Sequence, residues 1–255
     1  MAKGGNLMET KEITSLSNPL IKEVVKLHQK KYRTELILTE GEKSVDEAIK
    51  AGLKPKYVFF QKKVKEYNCE NYHVNEAVMK KISTTESPSN IVAVFEKPCY
   101  SINIFKKFKK IVLLDNIKDQ GNLGTIIRCC SAFGVDGILL YGDTTDEYSP
   151  KTIRSSTGNI FKIPVLKVGL EEIKQFKKEF KIIGTIVNSN NYFDDYEVKS
   201  KIIVMFGSEA KGLSKELINL SDENFTIKMT NDVESLNLAL CAGIVLYELQ
   251  KNCRI

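Results

Sequence analysis

Along the 255-residue chain, short apolar runs alternate with stretches in which apolar residues recur every three or four positions. In "LLDNIKDQGNLGTIIRCCSAFGVDGILLYG", which spans 113–142, the apolar run over 111–114 predicts a strand. Leu123, Ile126, Ile127, Cys130 and Phe133 predict a helix, and the run over 138–141 a second strand. Strand, turn, helix and strand make a βαβ unit. Upstream, "SNPLIKEVVKLHQKKYR" offers Asn18 as N-cap and Pro19 at the first helical position, with Ile21, Val24, Val25 and Leu27 on one face. Then come "ELILTEG" as a strand, a helix around "EKSVDEAIKAG", the short strand "KYVFF", a helix around "NEAVMKKIS" and the strand "NIVAVF". This order predicts an α/β protein with two domains: residues 9–98, a linker at 99–110, and a second alternating series over 111–255.

The turn after the first strand of that second series lies at a strand's carboxyl end, the usual ligand-binding edge of an α/β sheet. Its "GNLG" followed by Thr125 is not the dinucleotide pattern G-x-G-x-x-G, and no Gly-Lys-Ser/Thr follows as a P-loop demands. What it offers instead is Asn122 and, six residues on, Arg128, a pair suited to a polar substrate. Three further stretches stand out. "SPKTIRSSTGNIFKIPV" carries Arg154, two serines and Gly158 in the connection after the second strand. "IIVMFGSEAKGLSKEL" runs a buried-looking strand into Gly207, Ser208 and Glu209, with Gly212 beyond. "FTIKMTNDVESLNLALCAGIVLYELQ" reads as a strand, a polar loop and a long helix beginning near Ser235, which would serve as its N-cap. Uncharged polar groups, an Arg or a Glu beside glycines at three strand-to-loop junctions is the pattern expected of a ligand site.

Composition narrows the class. The chain is 42% hydrophobic with six prolines, and no window approaches a membrane span or the apolar core of a signal peptide. This predicts a cytoplasmic protein without membrane attachment. Six cysteines show no C-x-x-C and only His28 and His73 could add ligands, so no metal site is expected and the thiols should be reduced. The net charge of +6 is uneven: residues 1–110 hold 21 Lys+Arg against 13 Asp+Glu, whereas residues 111–255 hold 17 against 19. Four of the lysines sit in "FKKFKK" at 105–110. The excess on the leading segment fits either a solvated basic face or a surface that tracks RNA phosphates.

The segments "DNIKDQGNLGTIIRCCSAFGVDGILL", "MFGSEAKGLS" and "IKMTNDVESLNLALCAGIVLYE", with "IRSSTGNIFKIPV" between the first two, resemble the ordered motifs of the SpoU/TrmH group of RNA ribose 2′-O-methyltransferases, in the knotted SPOUT superfamily. The leading segment, with "LILTEGEKSVDEAI" and "NIVAVFEKP", resembles that family's smaller substrate-binding domain, a ribosomal-protein-like α/β fold. The resemblance implies a C-terminal trefoil knot, bound S-adenosylmethionine, RNA as substrate, and a homodimer packed partly through the final helix, with catalytic groups from both subunits. Position by position it puts Asn122, Arg128, Glu209, Ser235 and Asn237 in the catalytic set. It puts Gly207, Ser208, Gly212, Ile227, Met229, Leu236 and Asn237 against the cofactor. The family commonly has Pro where this chain has Lys228 and Gly where it has Asn231.

The implied chemistry matches these residue types. A sulfonium methyl is already activated and needs no metal; the difficulty lies in presenting a ribose hydroxyl in line while its proton leaves, where positioning alone contributes roughly 7–11 kcal/mol. A guanidinium, with a pKa above about 12, is a poor base. Arg128 is therefore read as orienting the ribose and stabilising the developing alkoxide, with a substrate phosphate or water taking the proton. Asn122 would orient Arg128 or the ribose, and Glu209 would fix the loop or the Arg. Ribosomal RNA is the favoured substrate over transfer RNA. The competing readings are a catalytically silent RNA-binding protein on the same scaffold and a nucleotide-dependent oxidoreductase, the latter opposed by the missing G-x-G-x-x-G.

Overall fold

The computed structural model describes residues 10–62, 67–230 and 235–252; Asn231 and Cys253 lie outside them. The chain divides into two compact units, Met1–Cys99 with Tyr148–Lys162, and Tyr100–Glu147 with Ile163–Ile255.

The first unit holds β1 (Lys11–Ile13), α1 (Pro19–Lys26), β2 (Leu36–Glu40), α2 (Glu42–Lys50), β3 (Pro55–Phe60), β4 (Glu70–Val74), α3 (Glu76–Ile82) and β5 (Ile91–Glu96). They form a mixed sheet in the order β1-β4-β3-β5-β2. α1 starts where the sequence predicts: the Asn18 side chain accepts from the Leu20 N–H at 2.9 Å, with Pro19 first in the helix. Ile21, Val24 and Leu27 then bury against Leu38, Phe59 and Met79. β4 was not legible, because Glu, Asn and His are poor strand formers. Its buried Asn71 is tolerated because its amide donates to the Tyr67 and Cys69 carbonyls at 2.8 and 2.7 Å.

The second unit holds α4 (Ile102–Phe105), β6 (Lys110–Asp115), α5 (Gln120–Ala132), β7 (Gly137–Tyr141), β8 (Val165–Lys167), α7 (Leu170–Phe176), β9 (Lys181–Thr185), β10 (Ile202–Phe206), α8 (Lys215–Leu220), β11 (Glu223–Phe225) and α9 (Leu238–Lys251); α6 (Pro150–Ser155) lies in the returning segment of the first unit. Its sheet runs β11-β9-β10-β6-β7-β8, every neighbouring pair parallel. The central strands are buried on both faces, so they read as near-continuous apolar runs such as "KIVLLD" and "IIVMF". All their carboxyl ends meet at one edge of the sheet.

The structure corrects three sequence expectations. Residues 100–110 are not a free linker: Phe105 is fully buried in the second unit's core and meets Phe108 edge-on at 5.1 Å, while Lys110 is buried and donates to the Phe133 carbonyl. Tyr148–Lys162 belongs with the leading residues rather than the second domain. The last helix is capped two residues later than expected, by Asn237 rather than Ser235; its Oδ1 accepts from the Ala239 and Leu240 N–H groups at 2.9 and 3.3 Å.

The returning segment is fastened by charge. Glu40, buried at the end of β2, accepts from Ser83 Oγ at 2.6 Å, Thr84 Oγ1 at 2.7 Å and Arg154 at 2.9 Å. Burial by itself would raise the carboxyl's pKa, but the Ser83 and Thr84 hydrogen bonds and the Arg154 charge together hold it below the ordinary 4.5. A carboxylate with a depressed folded pKa stabilises fully above its unfolded value and loses that contribution as pH falls through the folded one. Replacing Arg154 with Ala should cost about 1.5–3 kcal/mol in urea unfolding at neutral pH, because a buried anion loses a charge-assisted bond. In Glu40→Gln, the acid-side loss of stability that begins near pH 4.5 should be smaller than in the unaltered protein.

Candidate active site

At the carboxyl edge of the parallel sheet a cavity of about 680 Å³ opens, within the usual range for small-molecule sites. Its walls are the end of β9 and the residues beyond it (Thr185, Ile186, Val187), the loop after β10, the segment after β11 (Thr226, Ile227, Met229), and the approach to α9 with Cys241 and Val245 on the helix itself. Thr185 Oγ1 donates to the Met205 carbonyl at 2.8 Å, which ties the end of β9 to β10.

The loop after β10 is shaped by two glycines. Ser208 and Gly212 exchange backbone hydrogen bonds, N–H to O, at 3.0 and 2.9 Å. This draws the chain back so closely that a Cβ on Gly207 would stand 1.9 Å from the Gly212 carbonyl carbon. Gly212 has φ of +64°, the left-handed region. The loop's exit is held from beneath: Ser214 N–H donates at 2.7 Å to Asp115 Oδ2, a fully buried carboxylate at the end of β6, whose Oδ1 accepts from Asn116 at 2.6 Å.

Beside the cavity runs a directed polar chain. The α9 amides donate to Asn237 Oδ1, Asn237 Nδ2 donates to Asn122 Oδ1 at 3.2 Å, and Asn122 Nδ2 donates to Glu209 Oε1 at 2.8 Å. Each link fixes the next: backbone N–H can only donate and an ionised carboxylate can only accept, so both amides have one allowed orientation. Asn122 itself sits at the start of α5, where Asp119 caps the helix by accepting its N–H at 2.8 Å.

Of the residues singled out in the sequence, Gly207, Ser208, Glu209, Gly212, Ile227, Met229, Ser235, Leu236 and Asn237 line the cavity, and Asn122 joins it through Glu209 and Asn237. Arg128 does not join them. Six positions along α5 carry it about 120° around the helix from Asn122. It is exposed, and among the described residues it has neither hydrogen bond nor ion pair. Asn122 is engaged by Glu209 and Asn237, so of its two expected roles the first, orienting Arg128, is not met within this chain. Lys228 is exposed, its Nζ 5.7 Å from the Tyr192 ring centre.

Sequence reasoning passed over Thr185, Ile186, Val187, Phe225, Thr226 and Cys241. The run "KIIGTIV" breaking into "NSNN" could have flagged another strand end at the sheet edge; nothing local marks Cys241. Burial pushes its thiol up to about 11, so it stays neutral and contributes an apolar wall.

Comparison with known proteins bears on this site. Residues 109–247 match the SpoU rRNA Methylase family, and residues 18–93 match the MRM3-like substrate binding domain. The 23S rRNA (guanosine(2553)-2′-O)-methyltransferase RlmP of Bacillus subtilis (strain 168) is 31% identical, over 94% of this chain and 99% of its own length. The crystal structure of an AdoMet-bound rRNA methyltransferase from Sinorhizobium meliloti is similar with a TM-score of 0.85 at 30% identity, covering 95% of this chain and 98% of that one. The SpoU methyltransferase AviRb from Streptomyces viridochromogenes shares the fold, with a TM-score of 0.85 at 24% identity over 92% of this chain and 97% of its own.

The loop geometry makes a testable demand. Gly207→Ala should collapse or displace the 207–212 loop because the clash is with backbone, lowering stability by about 2 kcal/mol or more on the scale of overpacking and strain. Gly212→Ala, which meets only an unfavourable φ, should cost about 1–2 kcal/mol. Urea titrations of the two variants would check the order.

Proposed function

The chain belongs to the SpoU rRNA methylase family, and from that premise we propose that it is an S-adenosylmethionine-dependent methyltransferase acting on a ribose 2′-hydroxyl of ribosomal RNA. The observation that carries this reading is the cavity at the sheet edge with the Asn237–Asn122–Glu209 chain along its rim. The residues fit the cofactor: a backbone-lined loop from which Gly207 excludes any side chain, apolar Ile227, Met229 and Leu236, and enough volume for a nucleoside with an amino-acid tail. Gly207, Ser208, Gly212, Ile227, Met229, Leu236 and Asn237 would hold it. Bound there, S-adenosylmethionine supplies a methyl group already activated by its sulfonium. The chain's own residues must then position the ribose. Asn122, its orientation fixed from both sides, keeps a second amide hydrogen for the substrate; Glu209 and Asn237 hold it there, and Ser235 lines the same rim. Arg128 stabilises the developing alkoxide.

The finer parts of the reading are a trefoil-knotted catalytic domain, a homodimer and a cytoplasmic setting. Family membership supports the knot. The dimer is supported by an exposed apolar stripe on α9: Leu240, Ile244 and Tyr247, spaced four and three apart, are 62%, 43% and 53% exposed. α9 packs along α5, the helix that presents Arg128 to solvent. In this reading each Arg128 serves the site of the partner subunit, which accounts for its separation from Asn122. The described cysteines are free thiols, in keeping with the cytoplasm.

Methyl transfer from labelled S-adenosylmethionine to unmodified total RNA, followed by size separation and ribose-methylation mapping, tests the reading. Label should enter ribosomal RNA on ribose; RNA binding without transfer would replace the enzyme with a silent binder. S-adenosylhomocysteine should raise the melting temperature and NAD should not, ligand at 100 times its dissociation constant contributing about 2.7 kcal/mol. Arg128→Ala should lose roughly 100-fold or more in turnover while S-adenosylhomocysteine binding stays near normal.

A further inference from the structure

The excess positive charge of the leading segment has a focus. At the end of α1 the chain turns through a short 3₁₀ segment, Lys30–Tyr32, which presents Tyr32 to solvent at 41% exposure. Among the described residues of the first unit it is the one large aromatic side chain so exposed; Tyr57, Phe59 and Tyr72 are packed into the core. The Lys31 and Lys26 ammonium groups sit 4.9 and 6.0 Å from its ring centre. Lys22 and Lys30 are exposed on the same segment, and none of the four lysines has a carboxylate partner among the described residues.

The turn is built to hold this ring still. Arg33 is buried, and its guanidinium donates to the Leu27 carbonyl at 2.5 Å, closing the loop that follows α1. Tyr32 N–H donates to the Gln29 carbonyl and Arg33 N–H to the Lys30 carbonyl, at 3.1 and 3.0 Å. His28 is bonded through Nε2 to the Ile82 carbonyl at 2.9 Å, which fastens the same turn to α3. The arginine is thus spent on the scaffold, whereas the lysines and the tyrosine face outward with unused capacity.

We propose that Tyr32, flanked by Lys26 and Lys31, is a stacking platform for an unpaired base of the RNA substrate, with the lysines on the phosphates either side. The assignment rests on the RNA methyltransferase reading and adds to it the element that grips the substrate. A preordered aromatic face among unpaired cations suits single-stranded RNA: the base covers the ring, and the backbone takes the ammonium groups. A duplex would satisfy the lysines but leave the ring unused.

The test uses the full chain and a fluorescein-labelled, mixed-sequence single-stranded oligoribonucleotide, alone or annealed to its complement. Tyr32→Ala should weaken single-strand binding roughly 10-fold or more, whereas Tyr32→Phe should bind normally and neither should change duplex affinity. Replacing both Lys26 and Lys31 with Gln should reduce the magnitude of the log-affinity against log-salt slope by about 1.4 on the single strand. All variants should bind S-adenosylhomocysteine as the unaltered protein does, which separates loss of the platform from loss of folding. Single-strand affinity unchanged in Tyr32→Ala would overturn the proposal even if the lysine pair alters the salt slope. Absence of methyl transfer by the unaltered protein would instead count against the enzymatic reading, since the platform is judged on binding alone.

Discussion

Two stretches of backbone meet at Gly207 and Gly212 with no space for a side chain between them, and the catalytic domain's binding cavity is organised around that approach. A Cβ on Gly207 would lie 1.9 Å from the neighbouring carbonyl carbon, so the turn exists only because that position has none. The close pass lets Ser208 and Gly212 pair backbone to backbone and sends the chain on to Ser214, whose N–H is anchored by the buried Asp115 carboxylate. Asp115 terminates β6 and Phe206 terminates β10, neighbouring parallel strands in register. The sheet therefore sets the loop, and the loop sets one wall of the cavity.

The polar rim extends the same logic to side chains. Amides are ambiguous ligands, able to present oxygen or nitrogen. Here the N-terminus of α9 at one end and the Glu209 carboxylate at the other remove the choice, so the remaining amide hydrogen of Asn122 has a fixed direction. Preorganisation of this kind needs no reorganisation when charge develops in a reacting group. Arg128, by contrast, stands on the exposed side of α5, with neither hydrogen bond nor ion pair among the described residues.

The first unit divides its cations by role. Arg33 and Arg154 are consumed in closing a turn and in fastening the returning segment to Glu40. Planar guanidinium groups suit such fixed, multi-donor positions. The lysines, compact charges on flexible stems, remain at the surface, and Lys26 and Lys31 flank the exposed Tyr32 ring. Lys110, counted with the basic run at 105–110, is buried and structural, so net charge alone overstated that run's availability.

The sequence by itself determined the α/β class, most of the long elements, the cap of α1 and nine of the residues that line the cavity, because period, capping chemistry and motif residues are local properties of the chain. The short or polar strands β1, β4 and β8 escaped it, since their residues carry no clear alternation and acquire strand form from their neighbours. Only the tertiary structure decided which groups meet. Asn122 finds Glu209 87 residues away and Asn237 115 residues away, while Arg128, six residues along the same helix, finds neither. It likewise decided that Tyr148–Lys162 packs with the leading unit, where buried Glu40 supplies the partner for Arg154. Partnerships of this length are set by how crossover helices bring parallel strand ends to one edge, and by where a buried charge can be satisfied. Neither leaves a period in the local sequence.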